Sequence, residues 1–223
     1  MEEEFVVEGI VSSGFQNSSS DHKTEDVTHI FFEPKEVVYD ADENVVSMTP
    51  NTEFVALGHM AFNWCGAKYI ELPPNIHIMR GGAISTHVAP FTNSKVKEIL
   101  LHPDMTVIPD GIFDNANNLE TINLSDLVGL TRIGKYAFQS CNVLGITLAL
   151  SDFTALTEIG DYAFNSCGSL KLPAGDEMAL PASVERIGRF AFKDAFNSQF
   201  TIKLSSPKLS YGLAPFFACS RNN

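Results

Sequence analysis

The fold is decided by a short pattern that occurs twice in almost the same form. The first copy reads Leu130-Thr131-Arg132-Ile133-Gly134-Lys135-Tyr136-Ala137-Phe138-Gln139-Ser140-Cys141. The second copy reads Leu156-Thr157-Glu158-Ile159-Gly160-Asp161-Tyr162-Ala163-Phe164-Asn165-Ser166-Cys167. Looser copies occupy residues 57–65 and 187–195. Self-similarity of this kind is typical of a solenoid built from stacked repeats.

One phenylalanine marks each repeat and measures its period. The marking residues are Phe62, Phe91, Phe113, Phe138, Phe164, Phe192 and Phe216. Successive members are 29, 22, 25, 26, 28 and 24 residues apart. Leucine-rich repeats have periods of roughly 20–29 residues. We therefore predict a leucine-rich repeat solenoid of about six to seven units over residues 51–223.

Each unit predicts the same order of local structure. A glycine stands four residues before the phenylalanine in five units, and we expect it to permit a sharp change of direction before a short helical turn. Apolar residues then recur eight and ten residues after the phenylalanine, as Ile70 and Leu72 do, which predicts a half-buried strand. Segments before the glycine, such as residues 130–133, predict brief extended stretches on the convex side. One strand per repeat predicts an α/β solenoid with a parallel concave sheet and convex helical turns.

Residues 1–50 lack the repeat and are predicted as a separate N-terminal cap. The segments Glu36-Val37-Val38-Tyr39 and Val45-Val46-Ser47-Met48 flank a polar turn, which predicts a β-hairpin. Another strand is predicted at residues 5–11, followed by a polar loop over residues 12–26. A polar first element suits this place because a solenoid must cover the end of its open core.

The acidic charge is concentrated in the predicted cap. Residues 1–50 carry 12 acidic residues against two bases, whereas the repeats carry 15 against 13. The repeats therefore lack the basic stripe that phosphate contacts require, which argues against nucleic acid and against an anionic membrane surface. No apolar run is long enough to cross a bilayer, so we expect no membrane insertion. The start, Met1-Glu2-Glu3-Glu4, has acids where a secretory signal carries positive charge. Residues alone leave open an intracellular protein or one that has lost a signal.

The four cysteines share one register, three residues after a marking phenylalanine. They are Cys65, Cys141, Cys167 and Cys219. The equivalent residues in the other units are Ser94, Ala116 and Ala195, which are all small. A position shared by cysteine, serine and alanine indicates a tight buried slot. We predict free core thiols in preference to disulfides or metal ligands.

No motif for catalysis, metal binding or cofactor binding is found. Residues 40–44 resemble the start of a calcium loop, but Val45 and Asn51 occupy the places where that loop needs glycine and glutamate. The six histidines have no metal-ligand spacing. No nucleophile elbow, phosphate loop or dinucleotide fingerprint is present. We therefore predict no enzyme activity, no metal and no cofactor.

The repeats at residues 130–141 and 156–167 resemble those of the BspA-like leucine-rich repeat family (LRR_5-type repeats). Ile108-Pro109-Asp110-Gly111-Ile112-Phe113 resembles another common opening of that family. The similarity covers about residues 51–219 and is weakest over residues 73–105, where the unit of Phe91 lacks the glycine. The resemblance implies a right-handed solenoid, often found on bacterial or protozoan surface proteins that contact host or matrix proteins. It implies an extracellular or cell-surface location, no catalysis and no cofactor.

The concave sheet is the surface left for function. Residues seven and nine positions after each phenylalanine point away from the core if positions eight and ten point inward. The candidate binding residues are Tyr69, Glu71, Glu98, Thr121, Asn123, Thr147, Lys171, Gln199 and Thr201. We interpret the chain as a non-enzymatic module that contacts a protein or glycan through this row. The alternative is a structural spacer or scaffold domain without its own ligand.

Overall fold

Short parallel strands stacked one repeat above the next build the fold. The computed structural model describes residues 29–30, 36–39, 41, 45–49, 55–58, 60–78, 89–197 and 199–219. The strands are β1 His29–Ile30, β2 Glu36–Tyr39, β3 Val45–Thr49, β4 Val55–Leu57, β5 Tyr69–Leu72, β6 Ile76–Ile78, β7 Glu98–Leu101, β8 Val107–Ile108, β9 Thr121–Ile122, β10 Arg132–Ile133, β11 Glu158–Ile159, β12 Glu177–Leu180, β13 Arg186–Ile187, β14 Thr201–Leu204 and β15 Ser210–Tyr211.

Two parallel sheets run along the stack. Sheet 1 has the order β1, β5, β7, β9, and sheet 2 has the order β8, β10, β11, β13, β15. Two smaller parallel pairs join β4 with β6 and β12 with β14. The parallel stacking predicted from the repeat is confirmed. Four strands of sheet 2 directly precede the glycines, and the fifth, β8, precedes Pro109. Sheet 2 has five strands against four in the sheet that we expected to dominate. The handedness and the curvature of the coil stay predictions.

The segments that carry the phenylalanines are turns. The predicted convex helices are not seen among the described residues, whose helices are the short 3-10 segments Leu124–Asp126 and Leu150–Asp152. The N–H of Phe138 donates to the carbonyl of Ala163, one repeat later, at 2.8 Å. Tyr136 and Ser140 beside it have φ of 58° and 60°. Alternate peptide groups therefore bond to the next repeat, which prevents the bonding within one segment that a helix needs.

The glycines that recur four residues before the phenylalanines are needed for a different reason from the one predicted. A Cβ on Gly160 would lie 2.5 Å from the backbone nitrogen of Lys135, and one on Gly188 would lie 2.3 Å from that of Asp161. Neither glycine has a positive φ. The expectation that these glycines provide an unusual turn conformation is wrong. They are required because the backbones of neighbouring repeats approach too closely for any side chain.

The phenylalanine ladder forms the centre of the core, as predicted. Phe138 and Phe164 have ring centroids 5.2 Å apart, and Phe164 and Phe192 are 5.4 Å apart. Similar contacts of 4.5 to 5.5 Å join Phe62 through Phe138 and Phe192 with Phe216. Every ring of the ladder before Phe216 is fully buried. The stack continues from the first described repeat to the last.

The N-terminal region contributes a strand that the sequence did not reveal. His29–Ile30 pairs in parallel with Tyr69–Leu72, and Ile30 is buried in the core. Glu36–Tyr39 and Val45–Thr49 pair antiparallel, which confirms the hairpin itself. The predicted strand at residues 5–11 and the loop over residues 12–26 lie outside the described residues. The cap role and the division at residue 50 stay predictions.

The irregular unit around Phe91 contains an insertion. Ile78 pairs with Leu57, so the two residues occupy equivalent places in neighbouring repeats. Leu57 precedes Phe62 by five positions (62 − 57), whereas Ile78 precedes Phe91 by thirteen (91 − 78). The unit therefore has eight additional residues. The glycine is absent from this unit in either alignment, because Met79 follows Ile78 and His87 stands four residues before Phe91.

Candidate functional site

The first part of the candidate row lies side by side on sheet 1. Tyr69, Glu98 and Thr121 are direct partners in the parallel register of β5, β7 and β9. The alternating residues Ile70 and Ile99 are buried in the core. The two-residue alternation is therefore confirmed here, because side chains of one strand point alternately to the two faces. Tyr69, Glu98 and Thr121 share the outer face.

Acidic and phenolic oxygens give this face its chemistry. The hydroxyl of Tyr69 donates a 2.8 Å hydrogen bond to Oε1 of Glu71. Partial burial, this hydrogen bond, and the negative charges of Glu71 and Glu98 raise the pKa of Tyr69 to about 12. The phenol therefore stays protonated at neutral pH and can donate a hydrogen bond. At one side of the face, Lys97 and Glu120 form an exposed ion pair at 2.7 Å.

Asn123 is partly exposed two residues after Thr121, and its side chain bonds to the neighbouring repeat. Its Oδ1 accepts from the backbone N–H of Leu101 at 2.7 Å, and its Nδ2 donates to the Leu101 carbonyl at 3.1 Å. The same Nδ2 donates to Asp126 at 3.1 Å. A side chain with these three bonds continues the strand ladder where β9 ends. The structure thus gives Asn123 a part in the stacking of the repeats, and its role in binding stays a prediction.

The remaining candidates lie outside the four strands of sheet 1. The N–H of Gly145 nevertheless donates to the Glu120 carbonyl at 3.0 Å, so the next repeat stacks beside β9. Thr147 pairs with Lys171, although they stand nine and seven positions after their own phenylalanines. Thr201 pairs with Glu177, which is thirteen positions after Phe164. Thr147 and Lys171 are thus brought side by side at different distances from their own phenylalanines, because the length of each loop changes the register. The continuous binding row beyond Thr121 stays a prediction. Gln199 is exposed just before β14.

A ladder of alternating charges on sheet 2 was missed by the sequence analysis. Arg132, Glu158 and Arg186 are direct partners on β10, β11 and β13. Arg186 Nη1 lies 2.6 Å from Glu158 Oε1, and Arg132 Nε lies 3.6 Å from Glu158 Oε2. Asp110 pairs with Arg132, and Asp161 pairs with Arg186 at 3.1 Å. All three ladder residues stand six positions before a marking phenylalanine, so a signal was present in the sequence.

The aspartates of this charge ladder also bond to the backbone. Oδ1 of Asp110 accepts from the N–H of Lys135 at 3.0 Å. Oδ1 of Asp161 accepts from the N–H of Arg189 at 3.0 Å. These groups are thus committed to contacts between repeats, which fix the stacking register. They are poorly placed for chemistry on a ligand.

The cysteines form a buried slot, as predicted. All four are free and buried. Burial raises the pKa of each thiol, most strongly at Cys141 and Cys167. The thiols of Cys141, Cys167 and Cys219 donate to the carbonyls of Phe113, Phe138 and Phe192, one repeat earlier. A neutral, inaccessible thiol is a poor nucleophile.

Within the part of the chain that the structure describes, no group of three or more His, Cys, Asp or Glu side chains could hold a metal ion. None of the helices formed by these residues is long and apolar enough to span a membrane.

The repeat geometry agrees with a sequence family. The BspA type leucine-rich repeat region matches residues 35–171 and 85–222 in six copies. The chain belongs to this family. Its match begins at residue 35, so it includes the hairpin strands Glu36–Tyr39 and Val45–Thr49. A comparison with curated proteins found no match.

Three solved structures share the fold. A leucine-rich cell surface protein from Faecalibacterium prausnitzii is 19% identical with a TM-score of 0.54, over 86% of this chain and 45% of that one. The leucine-rich repeat protein of T. pallidum is 19% identical with a TM-score of 0.53, over 82% of this chain and 86% of that one. A leucine-rich repeat protein from Bacteroides ovatus is 20% identical with a TM-score of 0.51, over 86% of this chain and 49% of that one. The BspA-type chain thus spans about half the length of two of them.

Proposed function

We propose that this BspA-type chain is a non-enzymatic binding module that uses the outer face of sheet 1. The observation that carries the proposal is the register of Tyr69, Glu98 and Thr121, which places their side chains in a row on adjacent strands. Solenoids create extended surfaces in this way, and tyrosine is enriched at protein interfaces. Glu71 extends the row along β5 and accepts from the Tyr69 hydroxyl.

The charge of this face favours a protein partner with exposed lysine or arginine. Glu71 and Glu98 are exposed, and neither joins an ion pair with another described residue. A cationic partner would gain electrostatic attraction during association and hydrogen bonds to the carboxylates. A glycan could use the same oxygens and the Tyr69 ring, so it is tested beside the protein partner.

The proposed location is the cell surface or the extracellular space. Support comes from the family and from the F. prausnitzii protein, which is described as a cell surface protein. Because the two sequences are only 19% identical, this similarity shows a shared fold and nothing more. Immunodetection on intact and on permeabilised cells of the source organism would test the location. Signal only after permeabilisation would contradict it.

The binding proposal is tested by comparing two triple variants. The first is Tyr69→Ala with Glu71→Gln and Glu98→Gln, which removes the row on sheet 1. The matched control is Thr147→Ala with Lys171→Ala and Thr201→Ala, because these candidates lie outside the four strands of sheet 1. Binding would be screened against arrays of matrix proteins and of glycans. Loss of at least about tenfold in affinity in the first variant only is the expected result; equal losses would refute the proposed surface.

A structural spacer is the second candidate, and specific contacts favour it. Asn123 is committed to the backbone of Leu101, and Arg132, Glu158 and Arg186 are committed to one another. Side chains that could have bound a partner therefore stabilise the stack instead. The spacer hypothesis predicts no specific binding on either array. It also predicts that the first triple variant behaves like the wild type in every binding assay.

A further inference from the structure

Trp64 has a backbone conformation that bulky residues rarely adopt. It stands two positions after Phe62 and has a φ of 57°. The residues two positions after the other marking phenylalanines also have positive φ, and they are Asn93, Asn115, Ser140, Ser166, Asp194 and Ala218. All six have short side chains, and asparagine and aspartate tolerate this conformation better than bulky residues do. Trp64 is therefore the bulky exception at this position of the repeat.

Packing does not explain why a tryptophan stands here. Trp64 has 50% of its surface accessible, and its rings make no stacked or edge contact with another described aromatic residue. A residue held in an unfavourable conformation without a packing reason suggests a function. Tryptophan is also among the residues that most often supply the binding energy of a protein interface.

Basic side chains from two neighbouring repeats stand near this tryptophan along the backbone. The N–H of Lys95 donates to the carbonyl of Cys65 at 3.0 Å, so Lys95 lies in the next repeat beside the residue that follows Trp64. Lys68 and Lys97 directly precede β5 and β7, which pair in parallel. All three lysines are exposed. We call Trp64 and these three lysines the basic corner.

The later repeats lack these charges at the same positions. The segment from two to six residues after the marking phenylalanine contains Lys68 in the first unit, and Lys95 and Lys97 in the second. No lysine or arginine occurs in the corresponding segments of the next four units, which are residues 115–119, 140–144, 166–170 and 194–198. The positive charge of the basic corner is therefore specific to the first two repeats.

Two lysines of the basic corner are available to a partner. Lys97 pairs with Glu120 at 2.7 Å. Lys68 and Lys95 form no ion pair with another described residue. An ammonium group makes its strongest hydrogen bonds to ionised acceptors such as carboxylates. The basic corner thus combines an exposed aromatic ring with two unpaired positive charges.

We propose that the basic corner binds an acidic segment of a partner protein. Trp64 is the apolar anchor, and Lys68 and Lys95 pair with carboxylates of the segment. A long polyanion such as nucleic acid or heparin fits less well, because the exposed Glu71 and Glu98 on β5 and β7 repel a continuous row of anionic groups. A short acidic segment can place its few carboxylates on the lysines alone. The basic corner shares no residue with the outer face of sheet 1, so each proposal can fail without the other.

Binding to acidic peptides tests the basic corner. An array of short peptides rich in aspartate and glutamate would be probed with the wild type, with Trp64→Ser, and with Lys68→Gln and Lys95→Gln together. Serine occupies the place of Trp64 in two other repeats, so the first variant should fold. The matched control is Lys135→Gln with Lys208→Gln, which removes the same charge from exposed lysines of other repeats. Affinity for the bound peptides should fall about tenfold or more in both corner variants and less than about twofold in the control. Equal losses in the control, or no acidic peptide bound by the wild type, would overturn the proposal.

Fluorescence gives a second measurement, because Trp64 is the single tryptophan of the chain. A bound acidic peptide should shift its emission to shorter wavelength as water leaves the indole, and rising salt should weaken the binding because it screens exposed charges. Heparin and a strand of oligothymidine would be titrated in the same way. Tighter binding of either one than of the acidic peptides would assign the corner to a polyanion and overturn the proposal.

The triple variant of sheet 1 separates the two proposed surfaces. Tyr69→Ala with Glu71→Gln and Glu98→Gln leaves every residue of the basic corner in place, so it should still bind the acidic peptides and show the Trp64 emission shift. Loss of peptide binding in this variant would contradict an independent site at the basic corner.

Discussion

The Sγ of Cys167 donates a hydrogen bond of 2.8 Å to the carbonyl oxygen of Phe138, one repeat earlier. The same contact recurs between Cys219 and Phe192 at 2.6 Å and between Cys141 and Phe113 at 3.2 Å. The cysteine register thus provides a small side chain that fills a tight slot and also satisfies a backbone carbonyl. Both tasks require the protonated thiol.

Thiol titration should distinguish the native protein from the unfolded one. Because all four cysteines are free and buried, a maleimide or disulfide reagent should find little reaction under native conditions. Four thiols should react after unfolding without reductant. A result of two or fewer in the unfolded protein would mean that disulfides form, contrary to the structure.

Alkaline pH should weaken the fold through these thiols. Burial raises the pKa of Cys167 above its ordinary value of 9.0, so the unfolded state loses this proton first as the pH rises. The contribution to stability is therefore complete below pH 9 and decreases above it, by about 1.4 kcal/mol per pH unit for each such thiol. Urea melts between pH 8 and 10.5 would measure the slope.

Cys167→Ala provides the comparison for the alkaline measurement. The variant should be less stable at neutral pH, by about 0.5–1.5 kcal/mol, since the Phe138 carbonyl loses one of its two donors and keeps the N–H of Cys141 at 3.1 Å. Above pH 9 its free energy of unfolding should fall less steeply than that of the wild type. Identical slopes would show that the Cys167 thiol has a similar pKa in both states.

The sequence predicted the repeat but misjudged the glycine. Residue types that recur at similar intervals predicted the repeat period, the phenylalanine ladder and the parallel stacking. They recur because each repeat must present the same apolar residues to its neighbours. The glycine also recurs. Its spacing does not show whether glycine is needed for a positive φ or because a side chain would not fit. A Cβ on Gly160 would lie 2.5 Å from the backbone nitrogen of Lys135, so glycine is needed because a side chain would not fit. That separation depends on the next repeat and cannot be derived from one unit.

The candidate site was predicted in part for a related reason. Tyr69, Glu98 and Thr121 stand in register because their units have nearly equal distances between phenylalanine and strand. Beyond Thr121 the loop lengths differ, and a two-residue difference is enough to pair Thr147 with Lys171. Register depends on the backbone path between strands, which local alternation does not specify. The charge ladder of Arg132, Glu158 and Arg186 could have been found by comparing the charges of the residues six positions before each marking phenylalanine.

Alanine at Gly160 should severely destabilise the stack. Its Cβ would lie within 2.8 Å of three backbone atoms of residues 134 and 135, and backbone cannot move aside as a flexible side chain could. We expect a loss of about 2 kcal/mol or more in the free energy of unfolding. Chemical denaturation followed by far-ultraviolet circular dichroism would measure it.

Gly145→Ala is the matched control for Gly160→Ala. The nearest atom to a Cβ on Gly145 lies 3.8 Å away, and this glycine has no positive φ. The change should alter stability by no more than about 0.5–1 kcal/mol in either direction. If both variants lost the same stability, helix or strand propensity would explain the glycines better than close backbone approach.

The cost of removing a ring from the phenylalanine ladder should depend on its position. Phe164 contacts Phe138 and Phe192 at 5.2 and 5.4 Å, so Phe164→Ala leaves a cavity between two rings. We expect it to lower the free energy of unfolding by about 3–5 kcal/mol. Phe216 contacts Phe192 alone within the described ladder, at 5.5 Å, and is only partly buried. Phe216→Ala should therefore cost clearly less in urea melts, since its repeat has one neighbour instead of two. Equal losses for the two variants would argue against a linear stack in which each repeat depends on those beside it.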